Sequence, residues 1–339
     1  VLGIKLLGER PRLVGHGCLP FLNHATRARM SMPDPMLVFD RAVVRRRRER
    51  AARGWDGAAF LKREIATRLV DRLDDIRRSF PVALDLGCHG GEIGAALAMP
   101  DGRRRGGVET LLQMDLADGF ARRAKAHGPA FVGDEELLPI APASIDLALS
   151  AMSLHWVNDL PGTLLRIRES LKPDGLFLGA LLGGETLWQL RQALAQAESD
   201  VEGGLSPRVS PFADLRDATG LLQRAGFALP VGDAERIEVS YPDTLALLRE
   251  LRAMGESNAV HGRRSTLTRR ETLLRALSIY EQRHGAANER IPATFEVIYL
   301  HGWAPHASQQ KPLAPGAATG RLADALGTIE RPAGEKAGS

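Results

Sequence analysis

The apolar positions of this chain fall into an alternating series of helix-spaced sets and short continuous runs. Leu61, Ile65, Leu69 and Leu73 recur every four residues, which predicts an amphipathic helix that ends before Pro81. From there, the predicted strands cover 82–86, 110–114, 130–132, 145–150 and 176–182, and the predicted helices cover 92–98, 118–126 and 161–171. Short strands separated by helices imply right-handed crossovers, so we predict a doubly wound α/β domain with a parallel sheet covered on both faces.

The rhythm changes after Gly184, where longer helical segments predict insertions after the fifth strand. The predicted helices are 185–199, 213–225, 245–254 and 269–283, with a loop over 203–212 and strands at 236–240 and 294–300. We divide the chain into a disordered arm or misassigned start (1–35), N-terminal helices (36–80), the sheet core (81–184), insertions and last strands of the same domain (185–303), and a loose tail (304–339). An organelle transit peptide remains an alternative for the acid-poor start.

The basic residues are concentrated near the start of the chain. Residues 1–53 hold 12 Lys and Arg against 4 Asp and Glu, so the net charge of +4 leaves the remainder at −4. The arginine run at 45–48 has no interleaved aromatic residue to stack bases, and we predict a solvated helix face and no nucleic-acid partner. The longest uncharged apolar stretch, 176–184, is far short of the roughly 20 residues of a membrane span, so we expect at most peripheral membrane contact.

A glycine-rich turn follows the first predicted strand. Its glycines at 87, 90, 91 and 94 do not fit the dinucleotide pattern G-x-G-x-x-G. Asp85 stands two residues before Gly87, and a carboxylate there would repel a pyrophosphate but suits a positively charged or hydrogen-bond-donating group. The turn therefore favours a nucleotide-like ligand with an amino-acid moiety.

Further acids follow the next two strands. Asp115 ends the second strand, where a carboxylate can accept both ribose hydroxyls. Asp134 and Glu135 follow the third strand and are placed either to receive an adenine amino group or to cap the next turn. With Asp85, Gly87 and Gly91, these acids match the S-adenosyl-L-methionine site of class I methyltransferases.

Several longer motifs carry a resemblance to that superfamily. They are Leu84-Asp85-Leu86-Gly87-Cys88, Asp134-Glu135-Glu136-Leu137-Leu138-Pro139, Ser153-Leu154-His155-Trp156-Val157-Asn158 and Leu171-Lys172-Pro173-Asp174-Gly175. The second half, with Gly183-Gly184-Glu185-Thr186-Leu187, Ser210-Pro211-Phe212 and Met254-Gly255-Glu256-Ser257-Asn258, resembles more closely the mitochondrial complex I assembly factors that act as protein arginine hydroxylases, and their alphaproteobacterial relatives. The similarity runs from about residue 39 to about residue 318.

This resemblance implies a Rossmann-like class I methyltransferase fold with S-adenosyl-L-methionine as cofactor. It implies the cofactor-binding residues Asp85, Gly87, Gly91, Asp115, Asp134, Glu135 and Ser153. It also implies hydroxylation of an arginine in the iron-sulfur subunit of complex I. The place of action is then the bacterial cytoplasm, including the inner membrane face, or the mitochondrial matrix. A genuine methyltransferase of the malonyl-acyl carrier protein type and a non-catalytic assembly chaperone remain alternatives. We predict no metal site, because no H-x-[DE] motif occurs among the nine scattered histidines.

His89 departs from the family pattern, because it occupies the central glycine position of the turn. If the backbone there needs a positive φ, a histidine costs about 1 kcal/mol or more and crowds the cofactor. Alternatively, His89 points outward and Gly90 takes up the strain.

The candidate catalytic residues are His155, Trp156 and Glu185. His155 and Trp156 follow the fourth strand at the carboxyl edge, where doubly wound sheets hold their ligands. Trp156 could pack on an adenine or a guanidinium group, and His155 could accept a proton, although core packing is the alternative for both. Glu185 and Glu256 could each pair with an arginine substrate.

Overall fold

The structure is a computed structural model that describes residues 37–286, 290–310, 320 and 322–329. The predicted arm at 1–35 and most of the predicted tail at 304–339 lie outside these residues. No helix in the described part of the chain is both long enough and apolar enough to cross a membrane.

The strands of the described residues form one seven-stranded sheet. Their bounds are β1 Val82–Leu86, β2 Thr110–Asp115, β3 Ala130–Val132, β4 Ile145–Ala151, β5 Leu171–Leu182, β6 Ala228–Tyr241 and β7 Ile291–Trp303. The strand order is β3-β2-β1-β4-β5-β7-β6. The strands β1 to β5 pair in parallel, which confirms the predicted doubly wound sheet. The pattern did not indicate that β7 would run antiparallel to both β5 and β6.

Helices cover both faces of this sheet. They are α1 Arg41–Ala51, α2 Phe60–Asp71, α3 Glu92–Leu97, α4 Asp118–Ala124, α5 Leu160–Ser170, α6 Trp188–Glu202, α7 Leu215–Arg224, α8 Thr244–Ala253, α9 Arg270–His284 and α10 Leu322–Leu326. One apolar cluster joins the sheet to α2, α3, α6, α8 and α9, and the other joins it to α5 and α7. Side chains alternate across a strand, so Ala83 enters the first cluster and Leu84 the second. A strand buried on both faces is mostly apolar, and β1 could be predicted because Asp85 is its only polar residue.

Two strands are longer than their sequence pattern predicts. The strand β5 begins at Leu171 rather than at 176, because the turn-like residues 172–175 form an irregular continuation beside β4. The strand β6 begins at Ala228 rather than at 236. It lies at the sheet edge with alternate residues exposed, so charged residues within it do not oppose strand formation.

The carboxyl ends of the parallel strands meet at one edge of the sheet. The helix α1 lies near this edge, in contact with α4 and α8. It begins after Asp40, whose side chain accepts a hydrogen bond from the Val43 amide over 3.1 Å. The N-terminal segment thus brings its arginines to the place where the strand-end acids converge.

Candidate functional site

The glycine turn holds a histidine in a backbone conformation that favours glycine. Gly87, His89 and Gly91 have φ values of 68°, 47° and 92°, whereas Gly90 is not among the residues of positive φ. The His89 ring is buried, with its centroid 5.2 Å from that of Trp55 and 4.8 Å from that of Phe120. The alternative in which His89 points outward and Gly90 takes up the strain is therefore wrong. Aromatic packing offsets the cost of the left-handed conformation.

A buried lysine holds this turn in place through hydrogen bonds to backbone carbonyls. Lys62 of α2 donates to the Gly87 carbonyl over 2.8 Å and to the Ala151 carbonyl, and its Nζ lies 3.1 Å from His89 Nδ1. Burial lowers the pKa of Lys62 and, aided by the neighbouring lysine and arginine charges, lowers the pKa of His89 well below its usual value. His89 is therefore neutral at pH 7. Sequence reasoning missed Lys62, whose one signal was a lysine beside the apolar stripe of a predicted helix.

Asp85, at the end of β1, is a buried carboxylate without a hydrogen-bond partner. It has no exposed surface, and neither side-chain oxygen accepts a hydrogen bond within the described structure. Burial raises the pKa of Asp85 to about 7, although the nearby Lys62 charge opposes the shift. Unsatisfied buried carboxyls are rare, and such a group next to a glycine turn marks a place for a donor from elsewhere.

Asp115 and Glu135 are brought together as predicted, and Arg48 of α1 lies between them. The Arg48 Nη1 is 3.0 Å from Glu135 Oε1 and 3.6 Å from Asp115 Oδ2, and its Nη2 donates to Ser153 Oγ over 2.8 Å. Asp115 also accepts from the amides of His89 and Ala117, over 3.1 and 2.8 Å. We call Asp85, Asp115 and Glu135 the acid cradle.

The charges of this cluster are strongly coupled. Burial alone would raise the pKa of Glu135, but Arg48 and Arg41 outweigh it and lower that pKa. Burial likewise opposes protonation of Arg48, yet Asp115 and Glu135 raise its pKa. Arg48 is only 2% exposed, so the predicted solvated face for the arginine run is wrong at this position, while Arg45, Arg46 and Arg50 are exposed.

Asp134 caps the turn that follows β3. Its side chain accepts from the Glu136 amide over 3.0 Å, and it also pairs with Arg41 over 2.6 Å. Of the two alternatives for Asp134, the structure shows the capping of the turn. Arg41 extends the pairing to Glu135 and to the Trp156 carbonyl, so two arginines of α1 neutralise the acids at this edge.

The predicted glycines are required for different reasons. A Cβ atom on Gly87 would lie 2.0 Å from Ser153 Oγ, which places Ser153 directly against the turn. A Cβ atom on Gly91 would lie 2.6 Å from the His127 ring and 3.2 Å from the Ala124 Cα atom. Gly91 therefore permits close packing of α3 on the end of α4, and Gly87 permits close packing inside the site.

His155 and Trp156 converge on Glu256. The Glu256 Oε2 atom lies 3.0 Å from His155 Nε2 and 2.9 Å from Trp156 Nε1. Because a carboxylate only accepts, His155 Nε2 is the donor of this hydrogen bond, and the buried Nδ1 is without a partner in the described structure. Trp156 also packs edge-on against Phe39, with ring centroids 5.3 Å apart. Both predicted aromatic residues are thus at the site, held by an acid from the inserted region.

The third candidate, Glu185, pairs with a residue of the sheet edge. Its side chain is 52% exposed, and its carboxylate lies 3.5 Å from Arg236 of the edge strand β6. The structure therefore shows no contact of Glu185 with His155 or Trp156 among the described residues, and its catalytic role stays a prediction. In the described residues, no group of three or more His, Cys, Asp or Glu side chains could hold a metal ion.

The chemistry of the acid cradle fits S-adenosyl-L-methionine. Its residues offer carboxylate acceptors and one unpartnered buried carboxyl next to a glycine turn. Arg48 already uses acceptor oxygens of two of these acids. The gap beside the turn, lined by Trp55, Lys62, His89, Met152, Met254 and Glu256, has no room for a water molecule. A ligand that uses Asp115 and Glu135 as acceptors would compete with Arg48 for them.

Comparison with known proteins places this site within a family. A methyltransferase domain family matches residues 84–179, which run from β1 into β5. The arginine-hydroxylase NDUFAF5 of zebrafish mitochondria is 41% identical over 294 residues, covering 85% of this chain and 89% of that protein. The human protein of the same name is 39% identical, with 90% and 88% covered. A malonyl-[acyl-carrier protein] O-methyltransferase of Methylovorus is 37% identical, with 80% and 91% covered.

These matches extend over most of the chain and include the inserted region that carries Glu256. The doubly wound sheet is accordingly the class I methyltransferase fold. The chain belongs to the methyltransferase-fold family that contains the mitochondrial arginine-hydroxylases NDUFAF5 and the malonyl-[acyl-carrier protein] O-methyltransferases.

Proposed function

We propose that this chain binds S-adenosyl-L-methionine at the carboxyl edge of its sheet and hydroxylates an arginine side chain of a protein substrate. The observation that carries the proposal is the unpartnered buried Asp85 beside the glycine turn, in line with Asp115 and Glu135. The arginine is supported by the names of relatives that are about two fifths identical over most of the chain.

The residues that would hold the cofactor are those of the acid cradle. Asp115 would accept the ribose hydroxyls, Glu135 would face the adenine, and Asp85 would face the methionine amino group. When bound, S-adenosyl-L-methionine supplies an electrophilic methyl group, which serves methyl transfer. Hydroxylation would instead replace a carbon-bound hydrogen of the arginine by a hydroxyl group, so we propose that dioxygen, with an external two-electron reductant, supplies the oxygen atom and leaves its second oxygen as water. His155 and Trp156 would line the reacting end, because Glu256 fixes both of their rings.

The protein substrate is proposed to be the iron-sulfur subunit of complex I. We propose the cytoplasmic side of the inner membrane as the place of action in a bacterium, and the mitochondrial matrix in a eukaryote. The names of the relatives called arginine-hydroxylases, which are mitochondrial, support this.

Methyl transfer to a malonyl carrier protein is the second candidate, supported by the 37% identical relatives of that name. The charge of the site disfavours it. Glu256, at the centre of the aromatic pair, would repel the carboxylate of a malonyl group but attract a guanidinium group.

The product distinguishes these functions. The iron-sulfur subunit of complex I would be purified from cells with and without this gene, and its arginine-containing peptides weighed by mass spectrometry. We expect the peptide from deficient cells to lack one oxygen atom. A missing methylene group would point to methyl transfer instead, and an identical mass would refute modification of this subunit and favour a non-catalytic chaperone.

Cofactor binding is tested separately by calorimetry. Asp115→Ala should weaken binding of S-adenosyl-L-methionine about tenfold or more, because the ribose loses a charged acceptor. Asp118→Ala, which removes a half-exposed carboxylate only three residues away, is the matched control and should bind normally. Unchanged binding by Asp115→Ala would refute the ribose assignment.

A further inference from the structure

A small apolar cavity lies between the inserted helices α6 and α8. Its walls include Leu187, Leu190, Leu194, Phe212, Leu248 and Leu251, and its volume is about 150 Å³. A cavity of about this size in another protein takes a molecule as small as benzene, whereas sites for drug-sized ligands run from about 300 Å³ upward. The cavity is therefore the size of one side chain and too small for a nucleotide.

The backbone around this cavity is strained at one wall residue. Leu187, immediately before α6, has a φ of 54°, in the left-handed region that branched residues rarely adopt. Such conformations persist only when the surrounding structure requires them, and they concentrate at binding sites. The Leu187 side chain is nevertheless buried and contributes to the cavity wall.

One wall of the cavity carries a carboxylate, that of Glu256. Glu256 lines it with a side chain that is 7% exposed, and its Oε2 atom is occupied by His155 and Trp156. Its Oε1 atom has no hydrogen-bond partner in the described part of the chain. The 7% of the side chain that is exposed leaves Oε1 open to a cationic donor from a ligand.

The other charged residue of the cavity wall does not neutralise Glu256. Arg208 is instead paired with Glu198 over 2.7 Å and lies 3.8 Å from Glu202. Its charge is balanced by these two acids of α6. The cavity thus presents an apolar wall and a carboxylate to whatever enters it.

Glu256 also lines the narrow gap beside the glycine turn. That gap is bounded by Trp55, His89 and Met254 on its other sides. A group held at Glu256 would therefore lie between the apolar cavity and the turn on which the acid cradle is built. Doubly wound sheets bind their ligands at this carboxyl edge.

We propose that this cavity receives the side chain of the substrate arginine, with its methylene groups against the leucines and its guanidinium group on Glu256 Oε1. The proposal rests on the proposed function and deepens it by assigning the residue that selects the substrate. A guanidinium group suits the site because it combines an apolar stem with several donors of fixed geometry.

The test uses the full chain and two small probes, N-acetyl-L-arginine amide and its uncharged citrulline analogue, with binding followed by nuclear magnetic resonance titration. The wild-type protein should bind the arginine probe about tenfold or more tighter than the citrulline probe. Glu256→Gln should bring this ratio close to one. Glu281→Gln, an exposed change of the same kind on α9, is the matched control and should keep the preference.

A second variant keeps the test valid if Glu256→Gln fails to fold. Leu194→Trp would fill the cavity without touching Glu256 and should weaken both probes. A wild-type protein without preference, a preference that survives Glu256→Gln, or normal binding by Leu194→Trp would each overturn the assignment. An unmodified iron-sulfur subunit with the arginine preference intact would instead refute the proposed function and leave the cavity assignment standing.

Discussion

Replacing Arg48 by methionine tests whether α1 competes with a ligand for the acid cradle. The guanidinium group is 2% exposed and is the counter-charge of two fully buried carboxylates, Asp115 and Glu135. Removing one partner of a buried ion pair costs about 3–5 kcal/mol, because the remaining charge is left without compensation. We expect Arg48→Met to lower the free energy of unfolding by about this amount at pH 7. Arg45 lies exposed on the same helix, so Arg45→Met should change the free energy of unfolding by less than about 0.5 kcal/mol.

The interaction free energy of Arg48 with the two acids should also affect ligand binding. A ligand that must displace Arg48 from the acids in the wild-type protein gives up those contacts, whereas Arg48→Met has already lost them. About 3 kcal/mol corresponds to roughly a hundredfold in affinity, so calorimetry should find S-adenosyl-L-methionine bound about a hundredfold tighter by the variant. Ligand at about 100 times its Kd should then stabilise the variant by about 2.7 kcal/mol in urea unfolding.

The pH dependence of this difference has a defined sign. Arg48 helps to lower the pKa of Glu135 in the folded protein, so its stabilisation is present above the unfolded value of 4.5 and is lost as the pH falls below it. The stability gap between wild type and Arg48→Met should therefore narrow in acid. Equal affinity for S-adenosyl-L-methionine in both proteins, or a gap that widens in acid, would refute the competition.

Three further outcomes follow from single buried groups at this edge. In the folded protein the pKa of Asp85 is raised from 3.8 to about 7, so between these pH values the folded state binds more protons than the unfolded state. As the pH rises from 3.8 to about 7, the wild type should lose up to about 4 kcal/mol of stability relative to Asp85→Asn. Stability profiles of the two proteins in urea that run parallel over this pH range would contradict the prediction. His89→Gly should bind S-adenosyl-L-methionine more tightly, because the substitution removes the imidazole ring from the turn. It should also lower the midpoint of unfolding, because it leaves a cavity against Trp55 and Phe120. Weaker binding in calorimetry would contradict the first expectation. Lys62→Met should cost about 1–3 kcal/mol in urea unfolding for each carbonyl that it leaves unsatisfied, and an unchanged midpoint would remove the lysine from its structural role.

The sequence by itself determined the first five strands and the acids that end them. A parallel strand buried on both faces is mostly apolar, so the strand at 82–86, apolar except for Asp85, could be found without knowledge of its neighbours. Because the carboxyl ends of such strands meet at one edge, Asp85 and Asp115 could be assigned to a common site from their positions alone. Motif resemblance extended this to the family, through residues such as Glu256 whose role no local pattern indicates.

Only the tertiary structure decided which charged and strained groups are buried. The arginines at 45–48 are alike in sequence, and Arg48 differs from them because it meets Glu135, which is 87 positions away, and Ser153, which is 105 positions away. The conformation of His89 was likewise undecided until the rings of Trp55 and Phe120 were placed around it. Periodicity records which face of a helix is apolar, but pairing of distant charges depends on the geometry that the whole sheet imposes.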